Sequence, residues 1–134
     1  MRKAVIVVML LSGVVVALSS LITIPEKISP MAKLMRDMLK FVKEERVQIE
    51  AGKEPLPFPK NFERIKTAKV TPGKKPAKDH EQYLTSFLTE LNAYYKAKDI
   101  NERKQSLNIL INTCIACHEE ECPGPIQTIK TNRF

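Results

Sequence analysis

The chain holds 3 cysteines and 2 histidines, and most of that reactive chemistry is concentrated in one pentapeptide, Cys114-Ile115-Ala116-Cys117-His118. This is the spacing of c-type haem attachment. On a helix, residues three apart lie on nearly the same face, so both thiols can reach the two vinyl groups on one porphyrin edge. The imidazole that follows the second thiol then comes under the iron. The motif therefore predicts one covalently bound haem c, held by thioethers at Cys114 and Cys117, with His118 as an axial iron ligand. Permanent attachment suits a small domain working outside the cell.

Other chemistries compete for the same atoms. Cys114 and Cys117 could pair as a disulfide, but a reactive thioredoxin-like pair sits at a helix N-terminus, where the dipole lowers the thiol pKa. Here the pair falls near the end of a helix, where the dipole acts the other way. A zinc site from Cys114, Cys117, His118 and Cys122 is the second competitor, with tetrahedral closure made awkward by the adjacency of Cys117 and His118. Chance co-occurrence is the third. Once two cysteines carry haem, Cys122 has no internal partner; it reads as a small buried apolar residue or as an intermolecular disulfide that would link a homodimer. No acid–base or nucleophile constellation is apparent, so an enzyme is not expected.

The elements that must position the motif are helical. Glycine is scarce at 4 residues in 134, tryptophan is absent, and the sequence is dominated by Lys, Glu, Leu, Ala, Met and Ile, a helix-favouring mixture. Ser29 caps and Pro30 starts a first helix. Met31, Leu34, Met35, Met38, Leu39, Phe41 and Val42 form its apolar stripe, continued by Val47 and Ile49, with charges through Glu45 and Arg46 on the other face. Ala51-Gly52 ends it. Alternating prolines at 55, 57 and 59 exclude regular helix. A short helix capped by Asn61 follows, with Phe62 and Ile65 turned inward, before the Thr71–Pro76 loop. Asp79 with Gln82 is expected to cap a third helix bearing Tyr83, Leu84, Phe87, Leu88, Leu91, Tyr94 and Tyr95. Asp99 with Glu102 caps the last, where Leu107, Leu110, Ile111, Cys114, Cys117 and His118 share a broad face until Pro123-Gly124-Pro125. The expected fold is all-α, a four-helix bundle with a shortened second helix.

That bundle follows an N-terminal export or anchor segment. Arg2 and Lys3 precede an apolar run from Ala4 to Val16 and the small-residue site Ala17-Leu18-Ser19, the layout of a signal peptide. Leu21-Ile22-Thr23-Ile24 lengthens the run towards an uncleaved membrane anchor. The expected division is residues 1–24 as signal peptide or anchor, 25–122 as the haem-binding bundle, and 123–134 as a coil tail. Positive charge at the start places the domain outside the cytoplasmic membrane, in the periplasm, soluble or tethered through residues 4–24. Loss of Arg2 and Lys3 with the segment takes the net charge from +7 to +5. A modest basic excess favours redox partners with an acidic docking surface or a membrane surface. The dispersed basic residues do not suggest nucleic acid.

A haem motif near the C-terminus of a helical bundle resembles the cytochrome c-prime family over roughly residues 28–121. The likeness rests on the first helix with its Leu34-Met35 dipeptide, the antiparallel final helices and Cys114-x-x-Cys117-His118. It implies a haem within the bundle, bound by His118, with a first-helix residue on the other side of the iron. In an up-down bundle Met35 and His118 both lie ~5–8 Å from the same end, at ~1.5 Å per residue. Met35 is therefore the expected second axial ligand, with Met31, Met38, His80 or no residue at all as alternatives. With methionine the family pattern implies a six-coordinate electron carrier; without it, a five-coordinate protein that binds nitric oxide or carbon monoxide. Where the family usually carries a basic residue after the motif histidine, this chain has Glu119-Glu120-Glu121. The expected function is single-electron transfer between redox partners, with gas binding on the same fold as the alternative.

Overall fold

The computed structural model describes residues 28–134; the segment read as signal peptide or anchor, 1–24, lies outside the described residues. Every regular element among the described residues is helical: α1 (Pro30–Glu50), a 3₁₀ helix (Lys60–Lys66), α2 (His80–Tyr94), α3 (Ile100–Glu121) and α4 (Ile126–Lys130). None of these helices is long and apolar enough to cross a membrane.

Local chemistry sets most of the boundaries. The Ser29 hydroxyl accepts the Ala32 N–H at 3.1 Å, with Pro30 as the first helical residue of α1. At the other end Gly52 takes φ 65°, which glycine adopts without a Cβ penalty. The Gly52 N–H then donates to the Ile49 carbonyl (3.1 Å) and the Lys53 N–H to that of Gln48 (2.9 Å), the paired closure of a Schellman turn. The start of α3 is built as expected: Asp99 Oδ1 accepts the N–H groups of Asn101 (2.8 Å) and Glu102 (2.9 Å), and Glu102 reaches back to the Lys98 N–H at 2.8 Å. Asp79 precedes α2 but its side chain makes no capping bond, and no box with Gln82 forms. The second helix is not α-helical: Lys60–Lys66 is a 3₁₀ turn that follows Pro59, and Asn61 is not its cap, though Phe62 and Ile65 are buried as expected.

Helix α3 is central. It packs most extensively on α2 and also on α1, while the 3₁₀ helix touches α1 and α2. Both long neighbours run antiparallel to it, since Glu45, late in α1, meets Arg103, early in α3, and His80, first in α2, meets Glu121, last in α3. The core runs through Leu34, Met38, Val42, Phe62, Phe87, Leu91, Leu107 and Ile111. Two assignments on α1 are reversed. Val47 is 60% exposed, whereas Glu45 is fully buried, because residues 38, 42, 45 and 49 share the inward face of a 3.6-residue repeat and 47 lies opposite. The tail expected as coil contains α4, with Ile129 buried. Its end is clamped: Arg46 Nη1 donates to the Thr131 and Arg133 carbonyls, and Phe134 lies between Arg46 and Lys104, 5.1 and 5.4 Å from the ring centre.

Candidate functional site

The early turns of α1, the early turns of α2 and the late turns of α3 line a partly open cleft with an inner space of about 50 Å³. Cys114, Cys117 and His118 all line it from α3, spaced three and four residues apart so that one helix face carries them. Met35 and Met38 line it from α1, and Tyr83 and Phe87 from α2. Met31 is buried but does not reach the cleft. The walls are otherwise apolar, with Leu39, Val42 and Ile111 among them.

His118 is 8% exposed, and its two ring nitrogens have different fates. Nδ1 lies 3.0 Å from the Cys122 carbonyl oxygen. A carbonyl can only accept, so the proton belongs on Nδ1 and the Nε2 lone pair is free. A neutral imidazole with one nitrogen engaged by the backbone is the form in which histidine binds metals.

His80 is committed elsewhere. Its Nδ1 sits 2.8 Å from Glu121 Oε1, which also accepts the Ala77 N–H at 2.8 Å, and the ring does not line the cleft. As an axial alternative it is disfavoured on placement, because its neighbour on α3 is the carboxylate rather than the motif.

All three cysteines are free. Burial pushes the Cys114 thiol up to about 12, with the neighbouring Cys117 a secondary cause. Cys117 rises to about 11, from burial first and then from the negative charge of Glu121. Both are neutral thiols at pH 7. A reactive redox pair needs the opposite, a depressed thiol pKa. Cys122 is exposed, not the buried apolar residue that was one of its two readings, and its thiol is also raised, by partial desolvation and by Glu121.

A porphyrin brings four nitrogen ligands of its own, so the chain needs to supply only the thiols and the axial donors. Cys114, Cys117, His118 and Met35 carry donors of the right kinds and line one apolar cleft, and on that ground the residues fit a c-type haem. Zinc asks more of the chain. Among the described residues no group of three or more His, Cys, Asp or Glu side chains is arranged to hold a metal ion.

Sequence reasoning did not find Ile129 or the Cys122 carbonyl as parts of this site. Ile129 closes a wall from a five-residue helix that follows Pro125, too short to show an apolar stripe. The Cys122 contact is made by backbone, which no side-chain pattern reports. Tyr83 and Phe87 were legible as an inward face but not as cleft walls. A second, polar hollow of about 320 Å³ at the other end of the fold, lined by Tyr94 and Arg103 among others, contains none of the motif residues. Comparison with protein-family models, with curated proteins and with solved structures found no match to this chain.

Proposed function

We propose that the chain is an exported, periplasmic monohaem c-type cytochrome that passes single electrons between redox partners and is not an enzyme. In this reading the 3₁₀ segment Lys60–Lys66 is the shortened second helix of a four-helix bundle of the cytochrome c-prime type. One juxtaposition supports it: Cys114, Cys117 and His118 share an apolar cleft with Met35, and His118 has Nδ1 engaged and Nε2 free. Bound there, haem supplies an iron that exchanges one electron at a time.

The residues have distinct tasks. Cys114 and Cys117 would hold the cofactor through thioethers, and His118 would offer Nε2 to the iron. Met35 would offer its thioether to the same iron, a soft donor that would favour the ferrous state and raise the potential. Leu39, Val42 and Phe87 exclude water and raise it further. The basic surface, +7 for the whole chain and +5 without the first 24 residues, steers an acidic partner into a brief encounter that slows as salt is added.

A second reading rests on the presence of Met38, Leu39 and Val42 beside Met35. An apolar wall of that kind accommodates a neutral diatomic gas wherever methionine does not ligate. Absorption spectra of the oxidised and reduced protein separate the two. A low-spin ferrous spectrum indifferent to carbon monoxide is expected for the electron carrier, and a high-spin one that shifts with the gas marks the alternative. Both readings fail if protein made with a competent haem-maturation system has the bare polypeptide mass rather than that mass plus one haem.

A further inference from the structure

The end of α3 folds back on its own histidine. The Cys122 N–H donates to the His118 carbonyl at 3.1 Å, and Cys122 leaves the helix at φ −162°, ψ 88°. Pro123 enforces that exit, because a residue before proline is disfavoured in helical backbone. The exit places two atoms of Cys122 beside His118 Nδ1: the carbonyl oxygen at 3.0 Å and Sγ at 3.2 Å. The oxygen cannot donate, so it is Nδ1 that carries the proton. The sulfur has then one role open to it in this geometry, as a second acceptor on the same N–H. The opposite arrangement, with the thiol donating to Nδ1, would move the ring proton to Nε2 and remove the lone pair there.

We infer that Cys122 is a positioning residue for His118: its carbonyl selects the ring tautomer, and its sulfur shares the Nδ1 proton and strengthens Nε2 as a donor. The contact stands on the geometry alone, while its consequence for a metal rests on the haem reading above. Electron density drawn onto the N–H from outside makes imidazole a better ligand for the ferric ion, which lowers the reduction potential. Cys122 stands four residues after His118, directly behind Glu119-Glu120-Glu121, a spacing that makes helix positions neighbours.

The test uses the full-length protein with Cys122→Ala and Cys122→Ser, neither of which alters the backbone carbonyl. In haem-loaded protein the alanine variant is expected to have a higher potential than the parent. Serine, which restores an acceptor, is expected to recover most of that rise. An unchanged or lowered potential in the alanine variant overturns the inference, and so does a rise that serine fails to recover, since that would mark lost packing. If the chain emerges without haem, the proposed function falls, yet nitrogen-15 chemical shifts of the His118 ring still decide this point. A proton on Nδ1 whose resonance moves in Cys122→Ala supports the inference; a proton on Nε2, or a resonance that does not move, overturns it.

Discussion

Met35 and Met38 line the same cleft but stand in different environments. Met38 is 5% exposed and belongs to the core, while Met35 is half-buried and packs against the core from its edge. Thioethers at helical spacing are ordinarily flexible filler, and the two roles separate on replacement. Met38→Ala should cost about 2–5 kcal/mol, the usual penalty for emptying a buried methionine site, and leave the ferric spectrum unchanged. Met35→Ala should cost less stability; on the proposed haem reading it should also convert the ferric iron from low to high spin and lower the potential. Urea unfolding together with absorption spectra and potentiometry checks both; an unaltered spectrum in Met35→Ala would remove it as a ligand.

At the scale of elements, two aspartates that look alike in sequence behave differently. Asp99 accepts two backbone N–H groups at the start of α3, whereas Asp79 before α2 accepts none. Asp99→Ala should therefore lower stability by about 1 kcal/mol, and Asp79→Ala by much less. Equal losses in urea titrations would contradict the capping geometry. Helix α4 makes a comparable case. Five residues cannot form a stable helix alone, so α4 exists because Ile129 is buried against the cleft wall and Arg46 holds the Thr131 and Arg133 carbonyls. Ile129→Ala should cost about 2–5 kcal/mol and increase proteolysis of the tail, which limited digestion would show.

Across the whole molecule, the end opposite the cleft is pinned by a buried polar knot that joins all three long helices. Glu45 of α1 accepts the Tyr94 hydroxyl of α2 (2.5 Å) and the Leu56 N–H (2.9 Å), with Arg103 Nη2 of α3 at 3.4 Å. Arg103 Nη1 donates to the Lys53 carbonyl, while its Nε is buried without a partner. Removing Arg103 alone, as in Arg103→Met, strands a buried carboxylate and should cost about 3–5 kcal/mol. Burial raises the Glu45 carboxyl above its ordinary 4.5, although Tyr94, Leu56 and Arg103 each pull it down. The folded state thus keeps this proton at pH values where the unfolded chain has lost it. The associated stability is complete below 4.5 and is lost as pH rises through the folded value. Glu45→Gln, which has no proton to lose, should gain on the parent between acid and neutral pH. Denaturation of both proteins at the two pH values measures the difference, and a gap that widens against the variant as pH rises would contradict the sign.

What the sequence determined by itself was local. Ser29-Pro30, Gly52 and Asp99 act on backbone groups within a few residues, so three helix boundaries could be read directly, and the three- and four-residue spacing of Cys114, Cys117 and His118 already placed them on one face. The tertiary structure decided which polar groups go inside and what meets across the cleft. Glu45 reads as a surface charge until Tyr94, 49 residues beyond it, and Arg103, 58 residues beyond, close on it. His80 gains its carboxylate from 41 residues away, and Ile129 gains its burial from helices that precede it. Such contacts leave no periodic or capping trace in the chain, because their stability comes from packing that exists only once α1, α2 and α3 have come together.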